Sequence, residues 1–172
     1  RLFEEFMAIA YKAHSYGGDV IGHMSDLETM NRAEAEAFFK KYYLPSNLTI
    51  AIVGDVNPEQ IRKLATRYFS GIPSGPNPDP VETVEPPQLG ERRVVLEDPS
   101  QPFVLIGYHK PDIHHLDNAV FDAITDIVGM GRTSRLYKSL VKEKRIAVAA
   151  SGFQGMPGVK YPNLFLFYAV PA

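Results

Sequence analysis

Residues 72–90 read IPSGPNPDPVETVEPPQLG and hold six of the chain's 14 prolines. Proline has no backbone N–H and fixes its own φ, so such a stretch neither continues a helix nor completes a strand ladder. It predicts a stiff, extended linker over 73–91. The chain is thereby divided into segments 1–72 and 92–172, each needing its own account.

In the first segment Leu2, Phe6, Ile9 and Ala10 recur at helical spacing until Tyr16-Gly17-Gly18. Asn31 with Glu34 has the form of a capping box, and Ala35, Phe38, Phe39 and Tyr42 then make one apolar stripe ended by Leu44-Pro45. LTIAIVGDV (48–56) predicts a buried strand, β-branched and almost uncharged. Asn57-Pro58 supplies an N-cap and first-turn proline for a helix that turns Ile61, Leu64, Ala65 and Tyr68 inward and closes at Gly71.

The second segment predicts strands at 92–97 and 102–109, then a helix over about 117–128 with Val120, Phe121, Ile124, Ile127 and Val128 on its core side. Gly129-Met130-Gly131 breaks that helix. Thr133 or Ser134 caps the next one, whose Leu136, Leu140 and Val141 point inward. Strands at 146–153 and 163–170 flank a Gly-Met-Pro-Gly turn. This order predicts an α+β fold, a mixed sheet with helices packed on one face, rather than a doubly wound parallel sheet.

Apolar residues at 45% and charged residues at 22% suit a globular protein with a true core. The formal charge of −2 lacks the basic excess of a nucleic-acid-binding surface. Lys142, Lys144 and Arg145 form a short run interrupted by Glu143, which reads as a solvated helix end. Without cysteine there is no disulfide, thiolate metal site or cysteine nucleophile, and either the cytoplasm or an export compartment is compatible. No apolar run approaches the roughly 20 residues of a membrane span. No secretory signal pattern is visible, and the chain opens in amphipathic helix without an initiator Met, as expected of a piece of something longer.

HKPDIHHLD (109–117) packs three histidines and two aspartates into nine positions. Catalytic zinc takes such ligands, but it needs three converging from rigid backbone. Adjacent His114 and His115 diverge, Asp117 is placed to cap a helix, and Asp112 to bond its own turn. The stretch reads as a loop. Asp122 and Asp126, with Thr125 beside them, read as the solvated side of a helix. GMGRTSRL lacks phosphate-loop spacing and reads as a C-cap followed by an N-cap. No G-x-S-x-G elbow is present, and Ser25, Ser46 and Ser151 have no evident base.

Three longer stretches together resemble one family. YYLPSNLTIAIVGDVNPEQIRKLATRYFSGIPSG resembles the close of the first half of pitrilysin/insulinase-type (M16) zinc peptidases, which include the mitochondrial processing peptidases. GRTSRLYKSLVKEKRIAVAASGF resembles the second-half pattern G-x-x-S-R-L-x-x-x-L-R-E-x-x-G-L-A-Y. HSYGGDVIGHMSDLETMNRAEAEAFFKKYY is similar to the family's H-P-Y-G…G segment and following helix. The resemblance covers essentially the whole chain.

It implies a LuxS-like, processing-peptidase-like tandem of α+β halves closing on an extended peptide. Residues 1–72 would be the tail of the first half, 73–91 the link, and 92–172 the front of the second. The family's zinc sits in the first half, on an inverted H-x-x-E-H helix whose Glu activates water, with a more distal Glu. That motif is not in this chain, and the helix at 117–128 carries Asp122, Thr125 and Asp126 where ligands would be. The resemblance therefore implies zinc in the full-length parent, no metal here, and no activity for this piece alone. Second halves contribute an Arg and a Tyr to the substrate side, and the matching positions are Lys142 and Val148. Gly129, Gly131 and Arg132 match a glycine-rich substrate-handling loop. Two parents fit these changes: a zinc-bearing subunit that receives Arg and Tyr from a homologous partner, or a non-catalytic structural or assembly subunit.

Overall fold

A computed structural model covers residues 1–172. The chain separates into two compact units, Arg1–Ile21 with Thr83–Ala172, and Gly22–Glu82. No helix is long and apolar enough to cross a membrane.

The first unit is built on a three-stranded antiparallel sheet of β1 (Val104–Lys110), β2 (Ala147–Met156) and β3 (Asn163–Pro171), in the order β1-β3-β2. The α+β class expected from the element order is the one observed. β3 is central, and its run of aromatic and aliphatic residues suits burial on both faces. Leu164, Phe165 and Leu166 are buried. Ile106 of β1 and Gly152 of β2 both lie opposite Phe167. Two bulges interrupt β2, leaving Val148 and Gly155 without a partner residue on β3. Gly155 has φ +89, a conformation open to glycine.

Helix α1 (Leu2–Ala10) lies across one face of this sheet. Met7, Ala10 and Tyr11 pack with Leu164 and Leu166, and Phe6 sits over Gly107, where a Cβ would meet its ring at 2.6 Å. Met7 and Tyr11 carry the burial, ahead of the Leu2 and Ile9 positions expected from spacing. The other face receives α5 (Asn118–Ile124), which continues as a π segment, Thr125–Gly129. Phe121 meets Phe165 edge to face at 5.8 Å between ring centroids. Phe121, Ile124 and Val128 turn inward as expected, whereas Val120 and Ile127 are exposed. The wider π turn brings Thr125 and Gly129 onto the buried side instead.

The end of α1 is held by three later residues. Arg92 Nη1 donates to the carbonyls of Ile9 (2.8 Å) and Ala10 (3.0 Å), and His109 Nε2 donates to that of Ala10 (2.9 Å). The Glu85 carboxylate accepts the backbone N–H groups of Lys12, Ala13 and His14 at 2.7, 2.9 and 3.0 Å. The Arg92 and His109 bonds satisfy carbonyls that a helix C-terminus leaves open, and Glu85 fixes the turn that follows. Residues 92–97, expected as a strand, form none, and Arg92 bonds to α1 instead.

The second unit contains α2 (Met24–Thr29), α3 (Arg32–Tyr42) and α4 (Pro58–Phe69). The local signals act as expected. Asn31 and Glu34 form a reciprocal capping box at 3.1 Å each way, and Asn57 accepts from Glu59 and Gln60 ahead of a helix that opens on Pro58. The tertiary expectation fails. Residues 48–56 are not a strand, and Ile50, Ile52 and Val53 are exposed. A strand is defined by its neighbour's hydrogen bonds, and no second extended segment pairs with this one. Phe38, Phe39, Leu64 and Tyr68 are likewise exposed on their helices.

Candidate substrate-side surface

The segment from Gly129 to Val148 begins with a close approach. A Cβ at Gly129 would lie 2.5 Å from the backbone nitrogen of Gly152 and 2.6 Å from its Cα, so two glycines let helix and strand backbones touch. Ser151 Oγ fastens the contact by donating to the Gly129 carbonyl at 2.8 Å. Met130 N–H bonds to Thr125 across five residues, and Gly131, with φ +76, turns the chain outward.

Ser134 is almost fully buried, and its Oγ accepts from Tyr137 N–H at 3.4 Å, the cap expected at Thr133 or Ser134. The following helix contains a π segment, Tyr137–Glu143. Leu136, Leu140 and Val141 are half-buried on its inner side, while Arg135, Lys138 and Lys142 are exposed. It ends with Ile146 N–H bonded back to Leu140, six residues earlier, and with Arg145 in the left-handed region at φ +53. Val148, the bulge residue of β2, is 58% exposed.

Of the five positions expected on a substrate side, Gly129 is buried in backbone packing. Gly131, Arg132, Lys142 and Val148 are exposed in sequence order along the turn, helix and strand that follow. None of them lines the open, mostly apolar groove of this unit, which is formed by Leu2, Phe3, Phe103, Leu105, Phe153 and Tyr168 with Ser100 and Gln101.

Two of the three residues at the positions where the resemblance puts zinc ligands are engaged within the unit. Asp122 Oδ1 is held by the Gln154 amide and Oδ2 by Asn118 Nδ2 (3.5 Å), and the Thr125 hydroxyl is turned into its own helix, donating to Phe121 O at 2.7 Å. In HKPDIHHLD, His109 bonds to α1, Asp112 accepts from His114 N–H at 2.8 Å, and His115 Nδ1 accepts from Asp117 N–H at 3.2 Å. Asp112 thus makes the expected turn bond, whereas Asp117 makes no side-chain cap bond because its backbone is already helical. No three His, Cys, Asp or Glu side chains converge.

Sequence reasoning missed Lys110. Its side chain is buried at 3% exposure, with Nζ donating to Pro111 O and Asn118 Oδ1 at 3.1 Å each and lying 5.5 Å from the centre of the Phe121 ring. Burial lowers its pKa, against the pull of Asp122 and Asp112. The available signal was a lone cation closing an otherwise uncharged strand.

Residues 29–171 match the model of the peptidase M16 inactive domain. The chain belongs to the peptidase M16 family. It is 31% identical over 98% of its length to the zinc protease PqqE of Helicobacter pylori, of which it spans 38%. It superposes on the crystal structure of a protease from Helicobacter pylori with a TM-score of 0.90 and 30% identity, covering 98% of this chain and 41% of that one. It is also 22% identical to bovine cytochrome b-c1 complex subunit 1, over 74% of this chain and 27% of the subunit. The chain therefore spans about two fifths of the first of these relatives.

Proposed function

We propose that this chain is the metal-free scaffold of an M16 zinc endopeptidase, in which zinc-activated water hydrolyses an extended peptide. The zinc and its water-activating Glu lie in the part of the parent outside these residues. Residues 1–72 belong to the first half, 73–91 to the link and 92–172 to the second half, whose Gly131, Arg132, Lys142 and Val148 face the substrate chamber while Gly129 seats their turn against β2. The observation that carries the reading is the occupied state of Asp122 and Thr125, whose oxygens are spent on Gln154, Asn118 and Phe121.

The test is zinc stoichiometry by plasma mass spectrometry on the full-length parent and on residues 1–172. About one zinc in the parent and none in this chain is the expected result; a zinc-free parent overturns the proposal. Val148 favours one addition, because valine has no hydroxyl to offer where the family places tyrosine. A homologous partner subunit supplies the Arg and Tyr. Mixing the parent with that partner should then raise cleavage of an unfolded peptide, and full cleavage by the parent alone would exclude this arrangement.

A further inference from the structure

Charge is unevenly distributed along the chain. Residues 127–172 hold seven Lys and Arg and a single acid, Glu143, leaving eleven basic and nineteen acidic residues upstream. Six of the seven, Arg132, Arg135, Lys138, Lys142, Lys144 and Arg145, fall within fourteen positions. All six are exposed, and no carboxylate lies within 4.0 Å of any of them. Arg135, Lys138 and Lys142 are three and four residues apart, so they share one side of the helix, with the others at its two ends.

The opposite side of that helix is committed. Leu136, Tyr137, Leu140 and Val141 are half-buried within the unit, so the helix has no apolar face left to enter a lipid interface. What remains is a row of unpaired cations leading into β2, an edge strand that pairs only with β3. An edge strand offers backbone groups to an extended chain, and the cations beside it select the charge of that chain.

We propose that this face binds acidic segments of the peptide substrate, so that the parent selects peptides with Asp and Glu clusters. The inference rests on the peptidase reading above and adds the substrate's charge. Attraction among exposed charges is screened within about 10 Å at 0.1 M salt, so the selection fades as salt rises.

The test uses the full-length protein in chelator, so that peptides are bound but not cut. Fluorescence anisotropy compares two labelled peptides of equal length, one rich in Asp and Glu and one with Asn and Gln in their place. The acidic peptide should bind at least tenfold more tightly in 50 mM salt, and the gap should close in 0.5 M salt. Arg132→Gln, Lys138→Gln, Lys142→Gln and Lys144→Gln combined should remove at least four fifths of the preference, while Lys160→Gln leaves it. Equal affinity of the two peptides overturns the proposal, as does a preference that survives the fourfold change. Binding to anionic phosphatidylglycerol vesicles without any peptide preference overturns it in favour of a membrane surface. Zinc-dependent cleavage of the neutral peptide at the acidic peptide's rate would sink charge selection and leave the peptidase reading intact. Charge-selective binding with neither peptide cut by the zinc-loaded protein would do the reverse.

Discussion

Gly129 and Gly152 touch backbone to backbone, and neither has room for a side chain. At Gly129 the obstacle is main chain, which cannot rotate aside. At Gly152 the obstacle is the ring of Phe167, with its atoms 2.7 and 2.8 Å from a Cβ. The junction between the helix at 118–129 and β2 thus depends on two missing side chains.

Gly129→Ala should therefore destabilise the protein by about 2–3 kcal/mol, the range of an overpacked core. Gly131→Ala meets no neighbour and should lose only the roughly 1–2 kcal/mol of a left-handed alanine. Urea midpoints of the two variants check the ordering, and equal losses would mean that the close approach is not the governing contact.

Glu85 gives a pH dependence. Burial opposes its charge, but the N–H groups of His14, Lys12 and Ala13, with His109 nearby, hold its carboxyl below the ordinary value of 4.5. A depressed carboxyl contributes stability that is complete above its unfolded pKa and is lost as pH falls through the folded one. Glu85→Gln should cost about 1–2 kcal/mol at pH 7, since an amide offers one acceptor where the carboxylate offers two. Denaturation at pH 7 and pH 3 should show the gap between native and variant shrinking in acid. A gap independent of pH would exclude the carboxylate as its source.

Asn118 is the side-chain acceptor for the Lys110 ammonium, whose other bonded partner is a backbone carbonyl. Asn118→Ala should lower stability by about 2 kcal/mol, the usual loss for a hydrogen bond to a charged group. A double-mutant cycle with Lys110→Met should return a coupling of roughly 1 kcal/mol, and strict additivity would show that the two do not act together.

Residues 22–82 have two side-chain-capped helices, α3 and α4, but no buried residue. Capping is worth about 1 kcal/mol per helix and cannot offset an ordering cost near 1–2 kcal/mol per residue without a core. A peptide of these residues should show partial helicity, no cooperative thermal transition and strong binding of a hydrophobic dye. A sharp calorimetric transition would contradict the exposure of Phe38, Phe39 and Tyr68.

These cases mark which parts of the fold were legible from residues alone. Asn31, Glu34, Asn57 and Ser134 act over two or three positions, each bonding where its spacing indicates, and Pro58 opens its helix as its position indicates. Strands β2 and β3 carry enough apolar residues to declare themselves. Residues 48–56 and 92–97 also carry β-branched runs but have no paired neighbour, and pairing is not written in a single strand. The inward shift to Thr125 and Gly129 escaped because 3.6-residue periodicity does not anticipate a π turn. Lys110 escaped because burial of a charge depends on a partner eight residues away in Asn118.

The contacts of α1 also bear on how the chain is made. Met7 and Tyr11 leave the ribosome about 150 residues ahead of Leu164 and Leu166, which bury them. At about 5–20 residues per second the helix waits roughly 8–30 s for its seat. The holding bonds arrive in stages, first Glu85, then Arg92, then His109, and only afterwards the central strand. A nascent chain stalled before β3 would carry a capped helix with nothing to cover its apolar side. That interval is when it most needs a chaperone.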